Sequence, residues 1–296
     1  MSVAPSLDTL ETVLPGSTSR APMLAVERLG VSIGAISPLA GITCEVAKGE
    51  ILGIVGESGS GKSLTAMAVM GLLPLIGGAI TSGSVVFDGE DVTRLPERDY
   101  RKLRGGRIGL ITQNPMTSLD PLKKIGPQVD AVAILHLGLD KPAAKARTIS
   151  LLSDLRIPEA GSIYDLYPHQ MSGGMKQRIV IAMALAADPD LLIADEPTTA
   201  LDVTVQAQII RLLRDLVQER DLSLVLITHD MSVVAQTCDT VMVMYAGTAV
   251  ENGTVEEIFA RPLHPYTQAL IGCIPKGLDP NEKLTGIPGT VPSVAS

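Results

Sequence analysis

The chain has 296 residues, of which 46% are hydrophobic and 19% charged. That apolar content excludes disorder for most of its length, and the length allows one or two domains with a substantial core. Its 24 basic and 32 acidic side chains give a net charge of −8. A bulk basic field for nucleic acid is therefore excluded, although a local basic patch stays open.

Five Tyr, two Phe and no Trp leave the core to Leu, Ile, Val, Ala and Met. Mean hydropathy is +0.30, yet a spanning helix needs roughly 18 apolar residues in a row. The best stretch, 67–80, is broken by Gly71, Pro74, Gly77 and Gly78. A soluble chain, with room to sit against a membrane protein, is the expectation. Residues 1–21 are rich in Ser, Thr, Pro and Ala, contain Asp8 and Glu11, and read as a flexible extension rather than a signal peptide. Cys44, Cys238 and Cys273 lie far apart and read as reduced thiols.

From residue 23 onward short apolar runs alternate with turn signals. Strands are predicted at 24–26, 42–46 and 51–55, followed by a glycine-rich loop and a helix over 62–73. Strands follow at 85–87 and 108–112. The stretch 114–186 reads as mostly helical. Buried strands are then predicted at 191–194, 224–228 and 241–245, with Val205, Ile209, Leu212, Leu213 and Leu216 at helical spacing between the first two. Such alternation predicts an α/β domain with a largely parallel sheet, interrupted by a helical insertion. The tail from 261 reads as an appendage rich in Pro and Gly.

The strongest motif is Gly56-Glu57-Ser58-Gly59-Ser60-Gly61-Lys62-Ser63. It fits G-x-x-x-x-G-K-S/T between a buried strand and a helix, which is the context a phosphate-binding loop needs. Backbone amides and the helix N-terminus favour anions. Lys62 is predicted to reach the β- and γ-phosphates and Ser63 to ligate Mg2+. A second apolar strand delivers Asp195 and Glu196 at its C-terminal end. Asp195 is expected to hold Mg2+, and Glu196 to orient or deprotonate the attacking water. Ser172-Gly173-Gly174 precedes an apolar helix, and either caps it or forms a second anion site. Gln113 and His229 end two further strands, and Asp202 follows the carboxylate strand.

Together these residues, in this order, resemble the ATP-binding subunit of an ABC transporter over about residues 23–253. The segments Gln113-Asn114-Pro115-Met116-Thr117-Ser118-Leu119-Asp120-Pro121 and Tyr167-Pro168-His169-Gln170-Met171 are similar to those of dipeptide, oligopeptide and nickel importers. So are Arg261-Pro262-Leu263-His264-Pro265-Tyr266-Thr267-Gln268-Ala269-Leu270 and Gly286-Ile287-Pro288-Gly289-Thr290-Val291-Pro292.

The resemblance implies a P-loop NTPase fold of the ABC cassette type. Its parts are a RecA-like parallel-sheet core, an N-terminal antiparallel β subdomain and an α-helical subdomain. It implies a nucleotide-binding domain at 22–260, with the helical part at 114–186, and a family extension at 261–296. It implies ATP and Mg2+ as ligands, with Ser63, Gln113 and Asp195 at the metal. Each ATP is expected to lie between one subunit's phosphate loop and the partner's Ser172-Gly173-Gly174, with Asp202 joining the two sites and His229 at the γ-phosphate. Expected partners are a second, related ABC ATPase, two membrane permeases and an extracytoplasmic solute-binding protein, at the cytoplasmic face of the inner membrane. Peptides are the expected cargo, with nickel or another solute as the alternative. A soluble non-transport ABC ATPase and a catalytically dead subunit are the rival classes.

Three departures from the family pattern stand out. The neighbourhood where an aromatic usually stacks on adenine reads Val31-Ser32-Ile33-Gly34-Ala35-Ile36, where Ile33 is a candidate to cover the base by apolar contact, and no aromatic precedes Gly56. Met171 replaces the usual Leu of the Ser-Gly-Gly signature, a near-isosteric change. No cysteine cluster follows the tail motif, so no iron–sulfur cluster is expected.

Overall fold

A computed structural model describes residues 22–199 and 201–274. The expected flexible extension at 1–21 and the tail motif at 286–292 lie outside the described residues. Strands β1 (Pro22–Ile33) and β2 (Ile36–Ala47) make a long antiparallel hairpin. β3 (Ile51–Val55) leads through the glycine-rich loop into α1 (Lys62–Val69) and a 3-10 turn at Leu73–Ile76. β4 (Gly78–Phe87), β5 (Glu90–Asp91) and α2 (Glu97–Leu103) follow.

β6 (Ile108–Ile111) opens the helical stretch of α3 (Pro115–Ser118), α4 (Ile125–Leu137), α5 (Lys141–Asp154), α6 (Ala160–Ile163) and α7 (Gly173–Leu185). The chain returns through β7 (Leu191–Asp195), α8 (Val203–Arg220), β8 (Ser223–Thr228), α9 (Met231–Thr237) and β9 (Thr240–Tyr245). β10 (Thr248–Thr254), α10 (Val255–Ala260) and α11 (Pro265–Gly272) complete the described residues.

Two sheets result. One is antiparallel in the order β2-β1-β4-β5, and the other runs β10-β9-β3-β8-β7-β6. In the second sheet β9, β3, β8, β7 and β6 are parallel, and only β10 is antiparallel. All five residues of β3 and all six of β8 are buried. Strands covered on both faces read as continuous apolar runs, which is why the sequence shows them clearly.

The hairpin is harder to read. Register shifts interrupt the β1–β2 pairing at four places. Each shift breaks the period-two alternation, so only fragments of these twelve-residue strands look like strands. The first helix is shorter than the predicted 62–73. The chain turns at Gly71 (φ 61°), where a Cβ would lie 2.7 Å from the Tyr100 ring. A side chain there meets both a strained backbone and a filled space.

Three apolar clusters hold the layers together. The largest joins the parallel sheet to α4, α5, α7 and α8, and includes Met171, buried at the signature. A second fills the space between the two sheets around Phe87, Leu39 and Ile54. The third gathers Val55, Val234, Val243, Ile258 and Tyr266. Helix α11 thus packs into the core beside the end of β3, although its sequence reads as an appendage. Among the described residues the cysteines form no disulfide and are partly buried, and desolvation raises the Cys44 and Cys238 thiols to about 12. Among the described residues no helix is long and apolar enough to cross a membrane.

Candidate nucleotide site

Parallel neighbours in one sheet end at the same edge, and in open α/β sheets ligands bind beyond those C-terminal ends. The phosphate loop follows β3, Gln113 follows β6, Asp195 and Glu196 end β7, and His229 follows β8. Sheet order therefore gathers residues that are up to 173 positions apart (229 − 56).

The loop's shape depends on its glycines. At Gly56 (φ 157°) a Cβ would sit 2.2 Å from the Met244 carbonyl oxygen. At Gly61 (φ 102°) it would sit 2.4 Å from Leu39 Cδ2. The loop is thus pressed against β9 on one side and the β2 hairpin on the other. Gly59 faces open space. Ser58 is exposed, while Ser60 is buried and its Oγ has no hydrogen-bond partner. Gly61 caps α1 without a side-chain bond, leaving the first amides of that helix for a ligand.

Lys62 is almost fully buried. Its Nζ donates to the Gly56 and Glu57 carbonyl oxygens at 2.7 and 2.8 Å. Desolvation pulls its pKa down, and the carboxylates of Glu196, Asp195 and Glu57 oppose that shift. Ser63 Oγ donates to Asp195 Oδ1 at 3.0 Å. Burial raises the Asp195 pKa and Glu196 adds to the rise, against the Ser63 bond and the Lys62 charge. A serine hydroxyl beside a carboxylate is a hard oxygen pair of the kind Mg2+ takes alongside phosphate and water. Among the described residues no group of three or more His, Cys, Asp or Glu could hold a metal by itself. The donor set therefore suits a cation that shares its shell with a substrate.

Glu196 is the centre of the polar network. It has a positive φ of 46°, held by its N–H to the Ile227 carbonyl at 3.0 Å. That conformation is uncommon for a residue with a side chain and tends to mark functional positions. Gln113 Nε2 donates to Glu196 Oε2 at 2.8 Å, and Thr199 Oγ1 donates to the same oxygen at 2.9 Å. His229 Nδ1 lies 3.7 Å from Glu196 Oε1, an ion pair when the imidazole is protonated. The Gln113 amide is turned toward Glu196 in this arrangement.

Ser172, Gly173 and Gly174 lie apart from that network. Ser172 caps α7, its Oγ accepting from the Met175 N–H at 3.3 Å. A Cβ on Gly174 would lie 2.8 Å from Val205 Cγ1, so the start of α7 packs closely on α8. Asp202 caps α8, accepting from the Val205 N–H at 2.9 Å. The signature segment and Asp202 are thus neighbours.

Two residues of the site escaped the sequence reading. Thr199 follows the carboxylates by a few positions, a signal that could have found it. Tyr266 accepts from the Glu57 N–H at 2.9 Å, across 209 positions of sequence, and no motif hints at that. The Glu57 amide is therefore directed to α11, and the Glu57 carbonyl serves Lys62.

This edge brings the glycine-rich loop and the paired carboxylates together. The chain belongs to the ABC transporter family, whose model matches residues 39–199; residues 250–296 match the oligopeptide/dipeptide transporter C-terminal region. It is 48% identical over 279 residues to the oligopeptide transport ATP-binding protein OppD of Bacillus subtilis, covering 93% of this chain and 78% of that protein. Its fold is similar to that of cbiO1 from Clostridium perfringens, with a TM-score of 0.72 and 29% identity over 81% of this chain and 91% of that one. It is also similar to the cassette MJ0796 in a dimeric post-hydrolysis state bound to ADP and Pi, with a TM-score of 0.69 and 27% identity over 79% and 99% of the two chains. The expected cassette fold and the class of ATP-binding ATPase are thereby established.

Proposed function

We propose that this chain is the ATP-hydrolysing subunit of an importer for di- and oligopeptides. The observation that carries this reading is the meeting of Lys62, Ser63, Asp195, Glu196, Gln113 and His229 at one sheet edge. The C-terminal match at 250–296 and the likeness to OppD favour peptides over nickel.

In this reading the loop from Gly56 to Ser63 wraps the phosphates, and Lys62, aimed by its bonds to the Gly56 and Glu57 carbonyls, turns its remaining N–H donor to the β- and γ-oxygens. Ser63 and Asp195, with Gln113 beside them, would hold Mg2+, which would supply positive charge against the phosphates. Glu196 takes a proton from the attacking water or orients it, steadied by Thr199. His229 contacts the γ-phosphate. Ser172, Gly173 and Gly174 cover the ATP of a second, related subunit, and Asp202 links the two sites.

The proposed nucleotide-binding domain spans 22–260, with a helical part at 114–186 that faces the permeases and an extension at 261–296. Two permease subunits and an extracytoplasmic solute-binding protein complete the proposed assembly, at the cytoplasmic face of the inner membrane. Uptake of labelled di- and oligopeptides and of nickel, in cells lacking this chain, tests the cargo. Lost peptide uptake is expected. Intact peptide uptake with lost nickel uptake contradicts the peptide reading.

A further inference from the structure

Helix α11 reaches the phosphate loop through one atom. The Tyr266 ring is 8% exposed and packs 4.7 Å from the Tyr245 ring, next to Val55 at the end of β3. Its hydroxyl oxygen accepts from the Glu57 N–H at 2.9 Å. That N–H belongs to the peptide unit between Gly56 and Glu57. The carbonyl of the same unit, Gly56 O, accepts from Lys62 Nζ at 2.7 Å. In a trans peptide these two groups point in opposite directions. Tyr266 and Lys62 therefore hold one peptide plane from its two ends.

This plane is the one that needs holding. It starts at a glycine whose φ is 157° and which has no Cβ to restrict rotation. The element that delivers the hydroxyl is itself tied down. Glu251 on β10 accepts from the Leu263 and His264 N–H groups at 2.7 and 3.1 Å. His264 Nδ1 caps α11, accepting from the Tyr266 N–H at 3.1 Å. Gln268 Nε2 donates to the Pro262 carbonyl at 2.9 Å.

We propose that Tyr266 is a positioning residue for ATP: its hydroxyl sets the Gly56–Glu57 peptide plane, and through it the stance of Lys62 toward the phosphates. The proposal rests on the reading of 56–63 as the ATP phosphate loop. Without the hydroxyl the plane can rotate and Lys62 loses its aimed carbonyl. Nucleotide binding then weakens, while water activation at Glu196 is untouched.

The test uses Tyr266→Phe, Tyr245→Phe and Lys62→Ala in the assembled transporter, with ATP-dependent turnover and thermal unfolding as readouts. Tyr266→Phe keeps the ring and removes one hydrogen bond, so the KM for ATP is expected to rise roughly three- to tenfold. Its kcat is expected to stay within about twofold of wild type. Its unfolding midpoint should match that of Tyr245→Phe, which keeps wild-type KM. An unchanged KM in Tyr266→Phe, with Lys62→Ala impaired, overturns this inference alone. A fall in kcat and unfolding midpoint together with the KM change also overturns it, because that pattern is a packing defect. Wild-type ATP affinity in Lys62→Ala overturns the phosphate-loop reading itself, and this inference with it.

Discussion

At the sheet edge Lys62, Ser63 and Gln113 already hold their partners at 2.7–3.0 Å, and Lys62 is buried. At the start of α7 the contrast is clear: Ser172 and Gly173 are exposed, and the Ser172 hydroxyl caps its own helix. The first region stores its function as charges placed in partial burial, where electrostatic interactions are stronger than in water. The second is defined by shape, a close approach of α7 to α8 that leaves Ser172 and Gly173 exposed. Substitutions at the edge should therefore change chemistry and pH response, whereas substitutions at α7 should change packing.

The largest effect is expected at the edge. Glu196→Gln removes the proposed general base with little change in size, so turnover should fall by about 10²–10⁴. Next comes the base itself. Ile33 closes the β1–β2 hairpin opposite Ile36, with Cγ1 3.3 Å from where a Gly78 Cβ would be. If this position faces adenine, Ile33→Tyr should tighten ATP binding by roughly 1–3 kcal/mol, the value of base–aromatic stacking. Calorimetric titration checks it, and unaltered affinity means that the residue does not face the base.

At α7 the effect is on stability. Gly174→Val places branched carbons where Val205 Cγ1 is 2.8 Å from the Cβ position. Overpacking of this kind costs about 1–3 kcal/mol, to be read by urea unfolding of the free subunit. A null result there would break the contrast, because it would show that α7 and α8 do not need their close approach.

The smallest expected effect separates charge from packing. Burial raises the Asp195 pKa in the folded state above its unfolded value. Between the two values the folded state binds more protons, so stability without nucleotide falls as pH rises through that window. Above it the penalty is complete, and Asp195→Asn should raise the unfolding midpoint at neutral pH while turnover is lost. Below the window the variant should lose that advantage. An equal shift at all pH values would assign the effect to packing.

Much of this was legible in the sequence because the parallel strands are continuous apolar runs that end in chemistry-bearing residues. β3, β7 and β8 agree with the predicted strands to within a residue at either end. Their edge then collects Lys62, Asp195, Glu196 and His229. The antiparallel hairpin was only partly legible, since its bulges scramble the alternation. β10 was missed because its residues are mostly half-exposed and include Asn252 and Gly253. The bond from Tyr266 to the loop was invisible for a different reason. It depends on where α11 docks, and local pattern carries no information about that.

In the proposed mechanism the edge built by β3, β7 and β8 hydrolyses ATP through Glu196. The most direct measurement is ATP binding and ATP turnover, side by side, for wild-type and Glu196→Gln in the purified transporter with its permeases and second ATPase. The variant is expected to keep wild-type ATP affinity and to lose turnover at this site. Turnover near wild type in the variant would contradict that mechanism.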